Sequence, residues 1–189
     1  MGRLVVSEFV SLDGVFEAPG PGEPFEHAGW EFLFDGGEDG RRFKFEEVMA
    51  ADAQLLGRVT YEGFARSWPT MEGTGAFGQK MNSMPKYVMS STLRVAEWKN
   101  STILHGPLER EIPELKSRHA GDILVAGSGR LVRGLLAAGL VDELRLVISP
   151  IVLGSGKRLF AEGTPTIRLS LIEQLRVGPD GVTIMRYAL

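Results

Sequence analysis

A strand-like run ending in Val125-Ala126 passes into Gly127-Ser128-Gly129-Arg130-Leu131-Val132, which opens a helix. The unpaired N–H groups and positive dipole end of such a helix suit an anion, so the turn reads as a phosphate site or, equally, as a plain tight turn. The dinucleotide fingerprint G-x-G-x-x-G is incomplete here, because Val132 stands where its third glycine belongs. Ser149, not an acid, closes the next strand, which argues against a standard Rossmann domain.

Gly57-Arg58-Val59-Thr60 is a second strand-to-helix junction. Its glycine permits close approach, Arg58 offers a planar fork of donors for phosphate, and Thr60 adds a hydroxyl. A helix start with a surface arginine reads the same way. Ser90-Ser91-Thr92 closes a third strand, where hydroxyls also serve as turn formers. The three junctions argue better together, because ligands of open α/β sheets bind outside the carboxyl ends of the strands.

Other motifs fall away. Gly154-Ser155-Gly156-Lys157 is no Walker A loop, since Ile151 occupies the required glycine position and Arg158 follows the lysine. Ser128 and Ser155 lack the G-x-S-x-G elbow of a hydrolase. His27, His105 and His119 have no ligand spacing, and cysteine is absent, so no metal site, disulfide or thiol nucleophile is expected. Glu31, Asp35, Glu38, Asp39, Glu46 and Glu47 are unpatterned and read mostly as a solvated face.

The elements that must position these residues alternate along the chain. Strands are expected at Leu4–Val10, Ala53–Leu56, Lys86–Ser90, Ser101–Leu104 and Asp122–Ala126. Helices are expected at Arg41–Ala51, with Phe45, Val48 and Met49 inward, and from Arg58, Ala76, Ile112 and Gly129, with Pro113 in a first turn. Past Val141 comes a half-exposed strand with Leu144, Leu146 and Ile148 on one face, then a hairpin of Ile167–Val177 and Val182–Tyr187 around Gly178-Pro179-Asp180-Gly181. The fold class is therefore α/β: one mainly parallel central sheet flanked by helices, closed by a C-terminal antiparallel hairpin. The long loop from Phe16 to Gly40 is rich in aromatics and reads as a cover.

With 189 residues the chain fits a single domain over 1–189. A net charge of −3 offers no basic field for nucleic acid or an anionic membrane. No leader pattern opens the chain and no apolar stretch nears the ~18 residues of a membrane span, so a soluble cytoplasmic protein is expected.

In order, Ser11-Leu12-Asp13-Gly14, Leu56-Gly57-Arg58-Val59-Thr60-Tyr61-Glu62, Lys86-Tyr87-Val88-Met89-Ser90-Ser91 and Ile123-Leu124-Val125-Ala126-Gly127-Ser128-Gly129 resemble the dihydrofolate reductase superfamily. Asp142-Glu143-Leu144, Pro150 and the run Leu153–Phe160 are similar to its riboflavin-biosynthesis branch, the reductase half of the bifunctional deaminase-reductase and its stand-alone relatives. The resemblance implies a dihydrofolate reductase-like fold and a nicotinamide cofactor, NADPH, with NADH the alternative left open by Val59.

On that map Gly57, Arg58 and Thr60 hold phosphates. Ser90 and Ser91 border the adenosine ribose. Gly127 and Ser128 form the family's cis-linked pair, and Gly129, Arg130 and Leu131 face the pyrophosphate. The loop through Asp13, Gly14 and Phe16 covers the nicotinamide, with Asp13 a candidate acid, and Phe16, Trp30 and Trp68 are candidate ring-stacking residues of the substrate pocket. The resemblance implies reduction of a small heterocycle, like 5-amino-6-(5-phosphoribosylamino)uracil or dihydrofolate. The helix containing Phe43, Phe45, Glu46 and Glu47 lacks the substrate-binding carboxylate motif of folate reductases, so the proton donor is unassigned. The competing reading is a non-catalytic nucleotide-binding homodimer on the same fold. A homodimer is expected in either case, because the C-terminal strands would otherwise expose apolar surface.

Overall fold

The structure is a computed structural model that describes residues 1–189. In chain order it comprises β1 (Arg3–Ser11), a 3-10 turn (Trp30–Leu33), α1 (Gly37–Ala50), β2 (Ala51–Gly57), α2 (Arg58–Ser67), α3 (Gly75–Ser83) and β3 (Lys86–Met89). Then follow β4 (Ser101–Leu104), α4 (Leu108–Arg118), β5 (Asp122–Val125), α5 (Gly129–Ala137), β6 (Glu143–Ser149), β7 (Ser170–Val177) and β8 (Val182–Ala188). The strands form one sheet in the order β4-β3-β2-β5-β1-β6-β8-β7. Pairing is parallel from β4 through β1, and antiparallel from β6 through β8 to β7. This is the α/β sheet with a closing hairpin that the periodicities predict. No helix is long and apolar enough to cross a membrane.

The chain divides into two compact units. The first comprises Met1–Val6 and Phe45–Val141. Val5, Leu56, Val88 and Leu124 from its strands pack with Val48, Tyr61 and Trp98 into one core. Lys86 is wholly buried in this unit, and its Nζ donates to the carbonyls of Asn82, Met84 and Lys99 while lying 4.3 Å from the Trp98 ring centroid. Burial pulls its pKa down to about 8. Trp98 in turn donates its backbone N–H to the Tyr61 hydroxyl oxygen and its indole N–H to Asn82 Oδ1. These bonds anchor the segment that carries Ser90 and Ser91.

The second unit comprises Ser7–Lys44 and Asp142–Leu189. Val147, Val177, Val182 and Ile184 form its core, with Phe9, Phe34 and Phe43 packed on them. Here β6 departs from the half-exposed strand expected of it: Arg145 and Ser149 are buried along with the leucines. The charges go inside as a cluster, because the Glu143 carboxylate accepts from Arg145 Nε at 2.7 Å and from Arg186 Nε at 2.8 Å. Burial pushes the Glu143 pKa up, but the two guanidiniums more than offset it and leave it lowered.

Three boundaries also differ. α1 starts at Gly37, a turn ahead of Arg41, because Asp35 accepts the Gly37 N–H at 2.7 Å and caps the extra turn. Its buried residues are Glu47 and Val48, whereas Phe45 and Met49 are exposed. α4 starts at Leu108 directly behind Pro107, which leaves Pro113 inside the helix rather than in its first turn. β7 starts at Ser170, so Ile167–Leu169 lie outside the strand.

Candidate functional site

In the first unit two glycine turns press against each other at the carboxyl ends of β2 and β5. Gly57 donates its N–H to Gly127 O at 3.2 Å. A Cβ at Gly57 would lie 2.0 Å from Ser128 Oγ, and one at Gly127 would lie 2.7 Å from Thr60 Oγ1. Gly127 also has a φ of 95°, a conformation L side chains rarely adopt, and the Gly127–Ser128 peptide is cis as expected. Glycine is thus required sterically at both positions.

Both turns open directly into helices, α2 behind Gly57 and α5 behind Ser128, and neither helix has a side-chain cap. Their first N–H groups are therefore left to an external acceptor. Arg58 and Arg130 are exposed beside them, Thr60 is half-buried and Leu131 is buried. Arg58 is held along α2 by Glu62, with its Nη1 3.0 Å from Oε2. At the end of β3 the Ser90 hydroxyl accepts from Thr92 N and Leu93 N, which turns the chain and leaves Ser91 exposed. His105, at the end of β4, has its Nδ1 2.8 Å from Ser90 O. Trp68 packs edge-on to Phe64 and against Phe77 at the margin of the core.

The second unit holds its loop differently. Asp13 accepts the Ser11 hydroxyl at 2.6 Å and the backbone N–H groups of Leu153 at 3.1 Å and Gly154 at 3.0 Å. Arg158 Nε donates to Asp13 O, Leu159 N to Gly14 O, Phe16 N to Lys157 O and Leu12 N to Ile151 O. Gly14, at φ 81°, makes the tight turn this stitching needs. Glu17 accepts the backbone N–H of Lys157 and pairs with its ammonium group.

The Ser11 hydroxyl, together with the two backbone donors, pulls the Asp13 pKa down to about 2 against a smaller effect of burial. Asp13, the candidate acid, therefore holds no proton at neutral pH and works as a bolt between two loops. Phe16 is buried, and Trp30 is 1% exposed with its indole N–H on Glu17 O at 2.9 Å. The open aromatic on that turn is Phe32. No three His, Asp or Glu side chains gather as metal ligands.

The RibD C-terminal domain family model matches residues 3–183. The chain belongs to that family. It is 30% identical over 139 residues to the uncharacterized protein YyaP of Bacillus subtilis (strain 168), which covers 72% of this chain and 73% of YyaP. Among solved structures it is similar to a protein of Shewanella sp. PV-4 ascribed to riboflavin biosynthesis, with a TM-score of 0.75, 21% identity and 98% of each chain covered. It is also similar to dihydrofolate reductase from Enterococcus faecalis complexed with NADP(H), with a TM-score of 0.60, 16% identity and coverage of 98% of this chain and 95% of that one.

Membership of the RibD C-terminal domain family puts the chain in a reductase-type family with a dihydrofolate reductase-like fold. The residues present fit a dinucleotide: two uncapped helix starts offer N–H groups to phosphate, and any side chain at Gly57 or Gly127 would fill the space between the turns. What sequence reasoning missed are the bonds of Lys157 and Arg158 to Glu17 and Asp13 that hold the 12–17 loop. The partners lie 140 and 145 positions apart in sequence, and no local pattern joins them.

Proposed function

We propose that this member of the RibD C-terminal domain family is an NADPH-dependent reductase of a small heterocycle, a pyrimidine like 5-amino-6-(5-phosphoribosylamino)uracil or a pterin like dihydrofolate. The cofactor supplies a hydride. Gly57, Arg58, Thr60 and the N–H groups of Gly129, Arg130 and Leu131 hold its phosphates, and Ser90 and Ser91 border its adenosine ribose. The observation that carries this reading is the pair of glycine turns, each opening an uncapped helix, in a chain whose family model spans residues 3–183.

Arg58 tests it. Arg58→Ala removes a charge-assisted contact of about 1.5–3 kcal/mol, so fluorescence titration is expected to show NADPH bound roughly tenfold to hundredfold more weakly. Arg58 is exposed and pairs with Glu62 on its own helix, an exposed ion pair worth little, so the melting temperature of the free protein should barely move. Lysine should restore part of the affinity, since it replaces a planar fork by a point charge. Equal affinity for wild type and both variants would place the cofactor elsewhere. Absence of binding by wild type at millimolar NADPH would overturn the reading.

The assembly that goes with this reading is a homodimer. β7 ends the sheet and carries exposed Leu171, Ile172 and Leu175. Light scattering at micromolar concentration should give twice the chain mass, and a monomer mass would refute it.

A further inference from the structure

Two strand ends at the edge of the first unit's sheet are tied together by one side chain, His105. Met89 and Leu104 are partners in the parallel pairing of β3 with β4, so Ser90 and His105 are the next residues out, side by side at the carboxyl ends of the two strands. Ser90 N donates to Leu104 O at 3.1 Å, and His105 Nδ1 lies 2.8 Å from Ser90 O. A carbonyl oxygen only accepts, so Nδ1 carries the N–H and donates it. The ring is thereby fixed at one nitrogen. Its other nitrogen, Nε2, has no partner in the protein, and the residue is exposed.

The neighbouring groups are already bonded. The Ser90 hydroxyl accepts from Thr92 N and Leu93 N, which leaves Ser91 exposed beside it. Arg110, in the first turn of α4, folds back over Gly106, where an added Cβ would lie 2.1 Å from its Nη2, and it pairs with Glu111 Oε1 at 2.8 Å. That pair cancels its own charge. His105 remains as the side chain of this junction with a nitrogen open to a ligand.

The order of the strands decides what reaches it. The two glycine turns end the neighbouring strands β2 and β5, β3 is the next strand outward, and β4 is the edge. Adjacent strands lie about 4.8 Å apart. A dinucleotide with its phosphates between β5 and β2 and its adenosine ribose at Ser90 and Ser91 therefore runs towards β4. The 5′ carbon that bears those phosphates and the 2′ hydroxyl stand apart across the sugar ring, so a ribose entered from the β2 side presents its 2′ position to the β4 end. NADPH and NADH differ at that position alone.

We propose that His105 is the residue that tells NADPH from NADH, with Nδ1 holding the β3 turn and Nε2 binding the 2′-phosphate; this rests on the reductase reading above. A phosphate oxygen without a proton only accepts, so beside it the imidazole carries a proton on both nitrogens and brings a positive charge to the contact. The 2′ hydroxyl of NADH calls for no charge. Ser91 adds a neutral hydroxyl to the same phosphate. The coenzyme preference left open by Val59 at the end of β2 is thus set two strands away, at the end of β4.

Two substitutions divide the ring's two tasks. Asparagine places an N–H where Nδ1 stands and keeps the bond to Ser90 O, but it brings no charge. Lysine brings the charge and gives up the bond. Fluorescence titration of wild type, His105→Asn and His105→Lys with NADPH and NADH, at matched ionic strength, reads both. Wild type should bind NADPH the more tightly. His105→Asn should weaken NADPH about tenfold or more, the loss of a charge-assisted contact, and leave NADH within about twofold, whereas His105→Lys should keep most of the preference. Competition by 2′,5′-ADP and 5′-AMP, which carry the adenosine end by itself, should show the same change of ratio. A residue that only holds the turn gives the reverse pattern: His105→Asn keeps the preference and His105→Lys weakens both coenzymes alike. That pattern overturns the assignment. So does a wild type that binds the two coenzymes equally, which leaves the reductase reading standing. A wild type that binds neither coenzyme overturns that reading and the assignment with it.

Discussion

The junctions of the first unit and the loop of the second unit solve the problem of holding irregular backbone by opposite means. At Gly57 and Gly127 side chains are removed, so that two turns touch and the helix N–H groups behind them stay open. At Asp13 a side chain is supplied, and one carboxylate closes the N–H groups of Leu153 and Gly154 together with the Ser11 hydroxyl. The first arrangement leaves donors for a ligand. The second uses them up within the protein. The difference teaches where each region is vulnerable: the first to added volume, the second to a change of charge.

Added volume should do the greater damage. In Gly127→Ala the new Cβ meets Thr60 Oγ1 at 2.7 Å, and the residue must hold a φ of 95° that alanine disfavours. Overpacking costs about 1–3 kcal/mol and the backbone conformation about 1–2 more, so a loss on the order of 3 kcal/mol is expected in urea unfolding. The double variant Gly127→Ala with Thr60→Ala removes the clash and keeps the backbone penalty, so it should recover only part. Full recovery would show that the backbone conformation matters little at this turn. The penalty should be the same at pH 4 and pH 7, since neither glycine, alanine nor threonine ionises in that range.

The same contrast explains what was legible. Glycine at a strand-to-helix junction marks itself in three or four consecutive residues, so Gly57, Gly127 and the elements around them could be read along the chain. So could the order of strands and helices, because periodicity is local. Buried charge could not. Glu143, Arg145 and Arg186 look like the outer face of a strand until their mutual pairing is seen, and Lys86 looks exposed until three carbonyls surround it. Asp13 was legible as a residue of interest but not in its role, because the two N–H groups it ties to the 12–17 loop come from residues 140 and 141 positions later. Trp30 misleads in the same way: an aromatic in a long loop suggests a ligand platform, but it fills the interior instead.

A change of charge at Asp13 should have a smaller effect, and one that depends on pH. Asparagine has the size of aspartate but only one acceptor oxygen, so Asp13→Asn leaves either Leu153 N or Gly154 N facing an amide NH2. An unsatisfied donor of this kind costs about 1–3 kcal/mol, and because Arg158 and the backbone bonds of the 12–17 loop remain, the lower end is expected. The folded pKa of about 2 lies below the ordinary aspartate value of about 3.9, so between those values the unfolded chain binds more protons than the folded one. The stabilisation from the charged form is therefore complete above pH 4 and is lost as pH falls towards 2. Glu17, lowered through its bonds to Lys157 despite burial, adds a slope of the same sign in both proteins, so the difference between them isolates Asp13. Urea unfolding of wild type and Asp13→Asn from pH 7 to pH 2 should show a gap that closes across the acid range, whereas the Gly127→Ala gap stays open above pH 4. A constant gap for Asp13→Asn would mean that the loop is held by shape and backbone pairing alone, and the two regions would then differ in chemistry but not in what breaks them.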